Sequence, residues 1–261
     1  MKLALPFIPQ HKAEFGLGYA HITDSYLPHT PIDLSHIVYS TNHYRLGGGS
    51  ILFKRNSLNS IQYATKGVAQ QILAQIFVGT NDYTPGTLLG DAPSSEFISW
   101  MQLSFKDQRF LPIANKVILG THLEGYYSSR NLAQTYTASM MQAGTFTPTP
   151  STIFTYNPAF RANQYVAAGL CPIYTFTPYL QLRFEAYGFV PIRPILASES
   201  GKAYYGRQFS TMAHLEELSL VGRFATFIVS AYLSHNSSQP RSVSGGVSIG
   251  WYMFNHRFIE Q

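Results

Sequence analysis

The chain has 261 residues, 45% of them hydrophobic and 15% aromatic, yet only 12% charged, with a formal net charge of +5. Soluble domains carry about 25% charged residues, so this surface is not built chiefly for water, while a mean hydropathy of −0.04 and the lack of any run of about 18 apolar residues argue against transmembrane helices. The Lys and Arg residues are scattered and leave no nucleic-acid footprint, and a single Cys171 excludes an internal disulfide and a cysteine-based metal site.

The first residues, Met1-Lys2-Leu3-Ala4-Leu5-Pro6, carry one basic and a few apolar groups before Pro6 and Pro9 interrupt them. They hold no apolar core of about 7–15 residues and no small-residue cleavage site. The first alternating segment is Lys12 to Ile22, where Ala13, Phe15, Leu17 and Tyr19 oppose Lys12, Glu14, Gly16, Gly18 and Ala20. A polar stretch with Pro28, Pro31 and Asp33 reads as a loop. The second segment, about Asn42 to Arg55, alternates poorly around Gly47-Gly48-Gly49. Such glycines allow bending or close backbone approach; a phosphate cradle would need a Lys-Ser/Thr pair opening a helix, which is missing.

Asn56 to Thr65 is a connection ending at Lys66-Gly67. The third segment follows to about Asn81, with Val68, Ile72, Ala74, Ile76 and Val78 on one face. A strong turn signal begins at Asn81-Asp82, and the loop extends to Pro93. In the fourth segment, about Ser95 to Phe110, Phe97, Met101, Leu103 and Phe105 lie opposite Trp100, Gln102, Ser104 and Lys106. Pro112 to Asn115 turns into the fifth, where Val117, Leu119, Thr121 and Leu123 oppose Gly120, His122, Glu124 and Tyr126. Arg130 to Ala162 shows no alternation and is rich in Thr, Ser and Pro; loops of that size are functional or mobile.

The sixth segment begins near Asn163, and Thr177-Pro178 turns into the seventh, which has the clearest pattern. Leu180, Leu182, Phe184, Ala186, Gly188 and Val190 form one face; Tyr179, Gln181, Arg183, Glu185, Tyr187 and Phe189 form the other. A period of two marks a strand. A face mixing charges with large aromatics suits a wet lumen better than a packed core, and about 9–11 tilted residues cross the hydrocarbon of a bilayer. A loop over Ser198 to Thr211 leads to the eighth segment, about Ala213 to Val221, which Gly222-Arg223 joins to the ninth, about Ala225 to His235. After Asn236 to Pro240 the tenth runs from Val243 to Phe254, with Val243, Val247, Ile249, Trp251 and Met253 opposing Ser244, Gly246, Ser248 and Tyr252.

About ten strands result, and their connections alternate between long and short, as in outer-membrane barrels. The fold expected is an all-β antiparallel transmembrane β-barrel in the bacterial outer membrane, a single domain over residues 1–261. No helix is required, both ends are expected on the periplasmic side, and 18 Tyr and 18 Phe can supply the interfacial girdles. Such a barrel must be exported, so a chain without a signal is expected to be a piece of a longer precursor.

Three stretches resemble a known family. Arg55-Asn56-Ser57-Leu58-Asn59 with Gln62-Tyr63-Ala64-Thr65-Lys66-Gly67 looks like the periplasmic turn of BamA-like assembly and translocation barrels. Phe160-Arg161-Ala162-Asn163-Gln164-Tyr165-Val166-Ala167-Ala168-Gly169-Leu170 is similar to a stretch in the barrels that follow patatin-like phospholipase domains in Bacteroidetes-type bacteria. Gly250-Trp251-Tyr252-Met253-Phe254-Asn255 is similar to the last strand of the same proteins. The resemblance implies that this chain is the C-terminal part of a sixteen-stranded barrel, with the first strands and the hydrolase domain absent. It also implies that the Arg130–Ala162 loop enters the lumen, with Phe160, Arg161 and Ala162 at its tip. The family's Arg-Gly-Phe/Tyr tip is here Phe-Arg-Ala, and its wall Asp is replaced within Phe184-Glu185-Ala186-Tyr187-Gly188.

A patatin-type hydrolase needs a Ser on a Gly-x-Ser-x-Gly elbow with an orienting Asp. No such elbow occurs; after Ser50, Leu52 stands where the final Gly belongs. No catalytic residue and no cofactor are therefore expected, and with no second pair read at ligand spacing to bring three or four N/O donors together, no metal is expected either. His122 and Glu124 share a face, as do Arg183 and Glu185, and a lumenal network of compensated charges is the plain reading. A sharper expectation is that Arg161 pairs with Glu185 or Glu124. Ser244-x-Gly246-x-x-Ile249-x-Trp251 fits the polar-x-Gly-x-x-apolar-x-apolar pattern read by the outer-membrane assembly machinery.

The function expected is that of an anchor, or an export path, for a hydrolase domain. Its partners are outer-membrane lipid, the assembly machinery and a chain or segment that supplies the missing strands. A self-contained small pore or binding scaffold is the first alternative, and a soluble lipocalin-like ligand binder the second.

Overall fold

The computed structural model describes residues 2–8, 10–26, 38–86, 92–224, 226–237 and 243–251. One antiparallel sheet begins with β1 (Lys2–Ile8), β2 (His11–Tyr26), β3 (Ser40–Asn56), β4 (Gly67–Thr84), β5 (Ser94–Ala114) and β6 (Val117–Ser128). The long connection after β6 holds helix α1 (Tyr136–Gln142) and a two-residue pairing of β7 (Gly144–Thr145) with β8 (Arg161–Ala162). β9 (Gln164–Thr177) and β10 (Leu180–Pro191) resume the sheet, and β11 (Ile195–Ala197) pairs with β12 (Ala203–Tyr205) outside it. β13 (Ala213–Arg223), β14 (Phe227–Asn236) and β15 (Val243–Trp251) complete an eleven-stranded order in which each strand pairs with its sequence neighbour in the sheet.

Each of the ten expected segments falls on a strand of this sheet, so the chain is all-β and antiparallel. The additional strand is β1, which the sequence reading broke at Pro6. Pro6 lies opposite Lys12 on the outermost strand of the sheet, a position where proline is tolerated. Short connections link β5 to β6, β9 to β10 and β13 to β14; long ones follow β6 and β10 on the opposite rim. Several expected features lie outside the described residues: Met1, Pro9, Pro28, Pro31, Asp33, Ala225, Pro240 and the closing Tyr252-Met253-Phe254-Asn255.

Two expectations are corrected. The sheet is not closed: among the described residues no pairing joins β1 to β15. With eleven alternating strands these two edges run in the same direction, so the antiparallel ladder cannot simply continue across the seam. For the same reason the two ends of the sheet lie on opposite rims, not on one.

The sheet is nevertheless strongly curled. Tyr63, between β3 and β4, places its hydroxyl 2.8 Å from Ser230 on β14. Six ladder steps separate β4 from β14, about 29 Å along a flat sheet. The alternation decides the two faces. On β10 Gln181, Arg183, Glu185, Tyr187 and Phe189 are buried inside the curl, while Leu180 and Phe184 are exposed outside. β13 repeats this, with Leu215, Glu217, Ser219 and Val221 buried and Leu218 and Leu220 exposed.

Candidate functional site: the filled interior of the sheet

Two chain segments enter the concave side. The connection from Ser57 to Lys66 folds under the sheet instead of forming a plain turn. Asn59 organises it: its side-chain oxygen accepts from the backbone N–H groups of Thr65 (3.0 Å) and Lys66 (3.2 Å), and its amide donates to the Thr65 hydroxyl (2.8 Å). Gly67 closes it at φ 104°, where a Cβ would lie 2.1 Å from the Ser57 carbonyl oxygen. The connection then packs Leu58 and Ala64 against Phe110, Ile118, Cys171 and Ile173. Burial pushes the Tyr63 hydroxyl above its ordinary pKa, which keeps it protonated beside Ser230.

Arg183 is fixed by this segment and by its own strand. Its guanidinium donates to Glu185 Oε1 (3.0 Å), to the Ala64 carbonyl (3.0 Å) and to Cys171 Sγ (3.2 Å), and lies 5.5 Å from the ring centres of Tyr63 and Phe110. Tyr187 donates to the other Glu185 oxygen. Every polar group of the pair is thus engaged, which is what burying two charges requires.

The segment from Arg130 to Ala162 fills the other end. Helix α1 starts at Thr135, whose hydroxyl caps Ala138 N–H (3.2 Å), and the Ser139 hydroxyl bonds back to the Thr135 carbonyl (2.9 Å). Asn157 caps a 3-10 turn by accepting from Ala159 N–H (3.0 Å), and another opens at Thr149, whose N–H donates to the Thr152 hydroxyl (3.3 Å). Phe146 and Phe160 then pack onto the inner wall of Tyr165, Tyr187, Phe189, Ala213 and Leu215. Gln142 reaches across to the Tyr44 hydroxyl (2.7 Å). Arg130 lies over Trp100 at 4.5 Å and Tyr44 at 5.2 Å; burial draws its guanidinium below the ordinary value, and the ring faces offset part of that cost.

Between the two plugs stand three buried carboxylates. Glu124 receives Lys106 (3.1 Å), His122 (3.3 Å) and the Tyr165 hydroxyl (2.7 Å). Glu185 pairs with Arg183 as described. Glu217, directly opposite Glu185 in the ladder, is held by the hydroxyls of Ser219 (3.1 Å), Thr149 (3.2 Å) and Ser151. Thr149 and Ser151 tie the loop to the wall through this carboxylate.

Of the expected site residues, His122, Glu124, Arg183 and Glu185 all face the interior, and each pairs within its own strand. Arg161 does not meet Glu185 or Glu124. Its guanidinium donates to the carbonyls of Met140 (2.9 Å) and Met141 (3.3 Å) and lies 5.0 Å from the Tyr156 ring. Both carboxylates already hold partners from the wall, so the loop docks through Phe146, Phe160 and buried Ala162 instead. In the expected assembly strand, Ser244 and Gly246 face inward with Ser234 and Tyr232 opposite. A Cβ on Gly246 would lie 2.8 Å from the Tyr232 hydroxyl, so that ring needs a glycine there. Ile249 and Trp251 point outward and are exposed.

Sequence reasoning missed Glu217, Arg130 and Tyr63. The alternation Leu215, Glu217, Ser219, Val221 already carried the first; nothing local marks the other two. No protein-family model and no curated protein matches the chain, so the likeness to BamA-like barrels stands on its three motifs alone.

Proposed function

We propose that this chain is part of the wall of a bacterial outer-membrane β-barrel, filled by its own turn and loop and acting as a membrane anchor rather than an open pore. The supporting observation is the outward face of β2 to β5. Row by row, Ala13, Phe53, Ile72 and Phe105 are paired, then Phe15, Ile51, Ala74 and Leu103, then Leu17, Gly49, Ile76 and Met101. Two polar rows bracket them: His11, Arg55, Gln70 and Asp107 on one side, and His21, Arg45 and Thr80 on the other. Ten residues separate these rows on each strand, about 33 Å of rise, which projects to about 25 Å at a tilt near 40° and matches the apolar band of an outer-membrane barrel.

Leu17 at 72% and Ile76 at 58% exposure are costly in water and at home among acyl chains. A soluble lipocalin-like barrel has the reverse arrangement, with its apolar rows turned inward. The open edges at β1 and β15 call for further strands, because lipid does not accept unpaired backbone. These come from the rest of a longer protein or from another chain. The three motifs favour a BamA-like barrel carrying a patatin-like hydrolase, with Ser244, Gly246, Ile249 and Trp251 offered to the assembly machinery.

The test is export of the chain in a Gram-negative host, followed by an alkaline carbonate wash of the membranes. The chain should stay in the pellet and leave it only with detergent; release into the supernatant would overturn the reading. In planar bilayers the filled interior predicts no steady conductance, and a large constant channel would return the pore alternative.

A further inference from the structure

Beyond the filled interior, the outward face carries a cluster of a different kind. His214 and Glu216 alternate on β13 and so share the outer face; His235 stands directly opposite Glu216 on β14. His235 Nδ1 is 2.8 Å from Glu216 Oε2, His214 Nε2 is 3.7 Å from Glu216 Oε1, and the two imidazole centres are 5.9 Å apart. One ligand atom from each residue lies within 4.8 Å of the others, and this is the one such group of three metal-ligating side chains among the described residues.

We propose that His214, Glu216 and His235 form a binding site for a divalent first-row transition metal of the zinc class. Bonds of about 2.0–2.2 Å put neighbouring donors of tetrahedral zinc about 3.3 Å apart, and the two nitrogen–oxygen separations, one to each oxygen of the Glu216 carboxylate, straddle that value. Side-chain rotations are therefore enough to close the shell. Two imidazoles and one carboxylate are the donors that suit zinc, copper or nickel, not magnesium or calcium.

The surroundings leave room for an ion and for a fourth, exchangeable ligand. The three side chains are between 36% and 47% exposed. Gly188 lies opposite His214 and Val243 opposite His235, so no cation competes at the paired positions. One rung toward the middle of the sheet, Leu218 faces Leu233 on the same outer face. The frame is also fixed: His214 N–H donates to Ser237 Oγ (3.0 Å), and Ser237 N–H donates to the His214 carbonyl (3.2 Å). The cluster sits at the rim of the long connections, where β13 begins and β14 ends, so the ion would clamp the two strands at that rim.

This inference rests on the pairing of β13 with β14 and not on the membrane reading. The experiment is a zinc titration of the full folded chain in detergent, followed by competition with a chromophoric chelator. One zinc per chain is expected, and His214→Ala or His235→Ala should weaken it at least tenfold, while His21→Ala and His43→Ala should leave it unchanged. X-ray absorption at the zinc edge of the unaltered chain should show two imidazole nitrogens with oxygen completing the shell, a readout that needs no variant to fold. No saturable binding, or binding untouched by both alanine variants, or a shell without two imidazoles, would overturn the site.

Discussion

The strands before the long loop and those after it obey one alternation yet differ in what covers their inner faces. On β2 to β5 most inward positions at mid-height are small or polar, among them Gly16, Gly18, Ser50, Gln71, Gln75 and Gln102, with Leu52 and Leu73 between them, and none of these is buried. On β9, β10 and β13 the inward positions are buried nearly without interruption. The difference lies in where the plugs sit. Phe146, Phe160 and the Ser57–Lys66 connection press on the second group, whereas the first meets them only near its ends, at Tyr44, Trp100 and Phe110. Inner-face burial is thus a property of the inserted segments and not of the strand pattern.

Perturbing the second group should therefore cost most. Arg183→Ala leaves Glu185 buried without its cation, and a loss of about 3–5 kcal/mol is expected, read as an earlier urea midpoint and loss of heat-resistant gel migration. The double replacement Arg183→Met with Glu185→Leu should recover much of that loss, because it removes both desolvated charges. Phe146→Ala should cost about 3 kcal/mol and open the 131–160 segment to proteolysis, with the strands themselves remaining protected. Equal protection of that segment in the variant would show that the wall does not depend on this ring.

The first group sharpens the comparison between faces. Ile76→Arg, in the middle of the outward apolar rows, should destabilise the lipid-inserted chain by about 2–4 kcal/mol. Gln75→Arg, one residue away on the partly exposed inner face, should change the unfolding midpoint little. Equal effects at the two positions would remove the distinction between a lipid side and a wet side. Among the variants expected to destabilise, Arg161→Ala should do so least. It removes hydrogen bonds to two carbonyls and one ring contact, about 1 kcal/mol, and should leave heat-resistant migration intact because Glu124 and Glu185 keep their partners.

Much of the wall could be read from the chain. The run from Leu180 to Val190 separated inner from outer residues correctly, because a strand's side-chain period is two, but the inner face expected to line a wet lumen is packed under Phe146, Phe160 and the Ser57–Lys66 connection. His122 with Glu124 and Arg183 with Glu185 were legible for the same reason, being two residues apart. Arg161 was misplaced because its partners, the Met140 and Met141 carbonyls, come from a helix with no periodic signature in a Thr-rich loop. His214-x-Glu216 repeats the spacing of His122-x-Glu124, but the sequence reading passed over it. The third member, His235, is nineteen positions from Glu216 and joins it only through the register of β13 with β14.

The sequence by itself determined ten of the eleven strands of the main sheet, which side of each is apolar, and which rim carries the long connections, since these follow from local periodicity and turn chemistry. Only the tertiary structure decided how far the sheet curls, that eleven strands leave it open, and that one turn and one loop occupy its hollow. Those outcomes depend on contacts such as Tyr63 with Ser230, separated by 167 residues. No local pattern encodes them, because the free energy that selects them comes from burying groups brought together from distant parts of the chain.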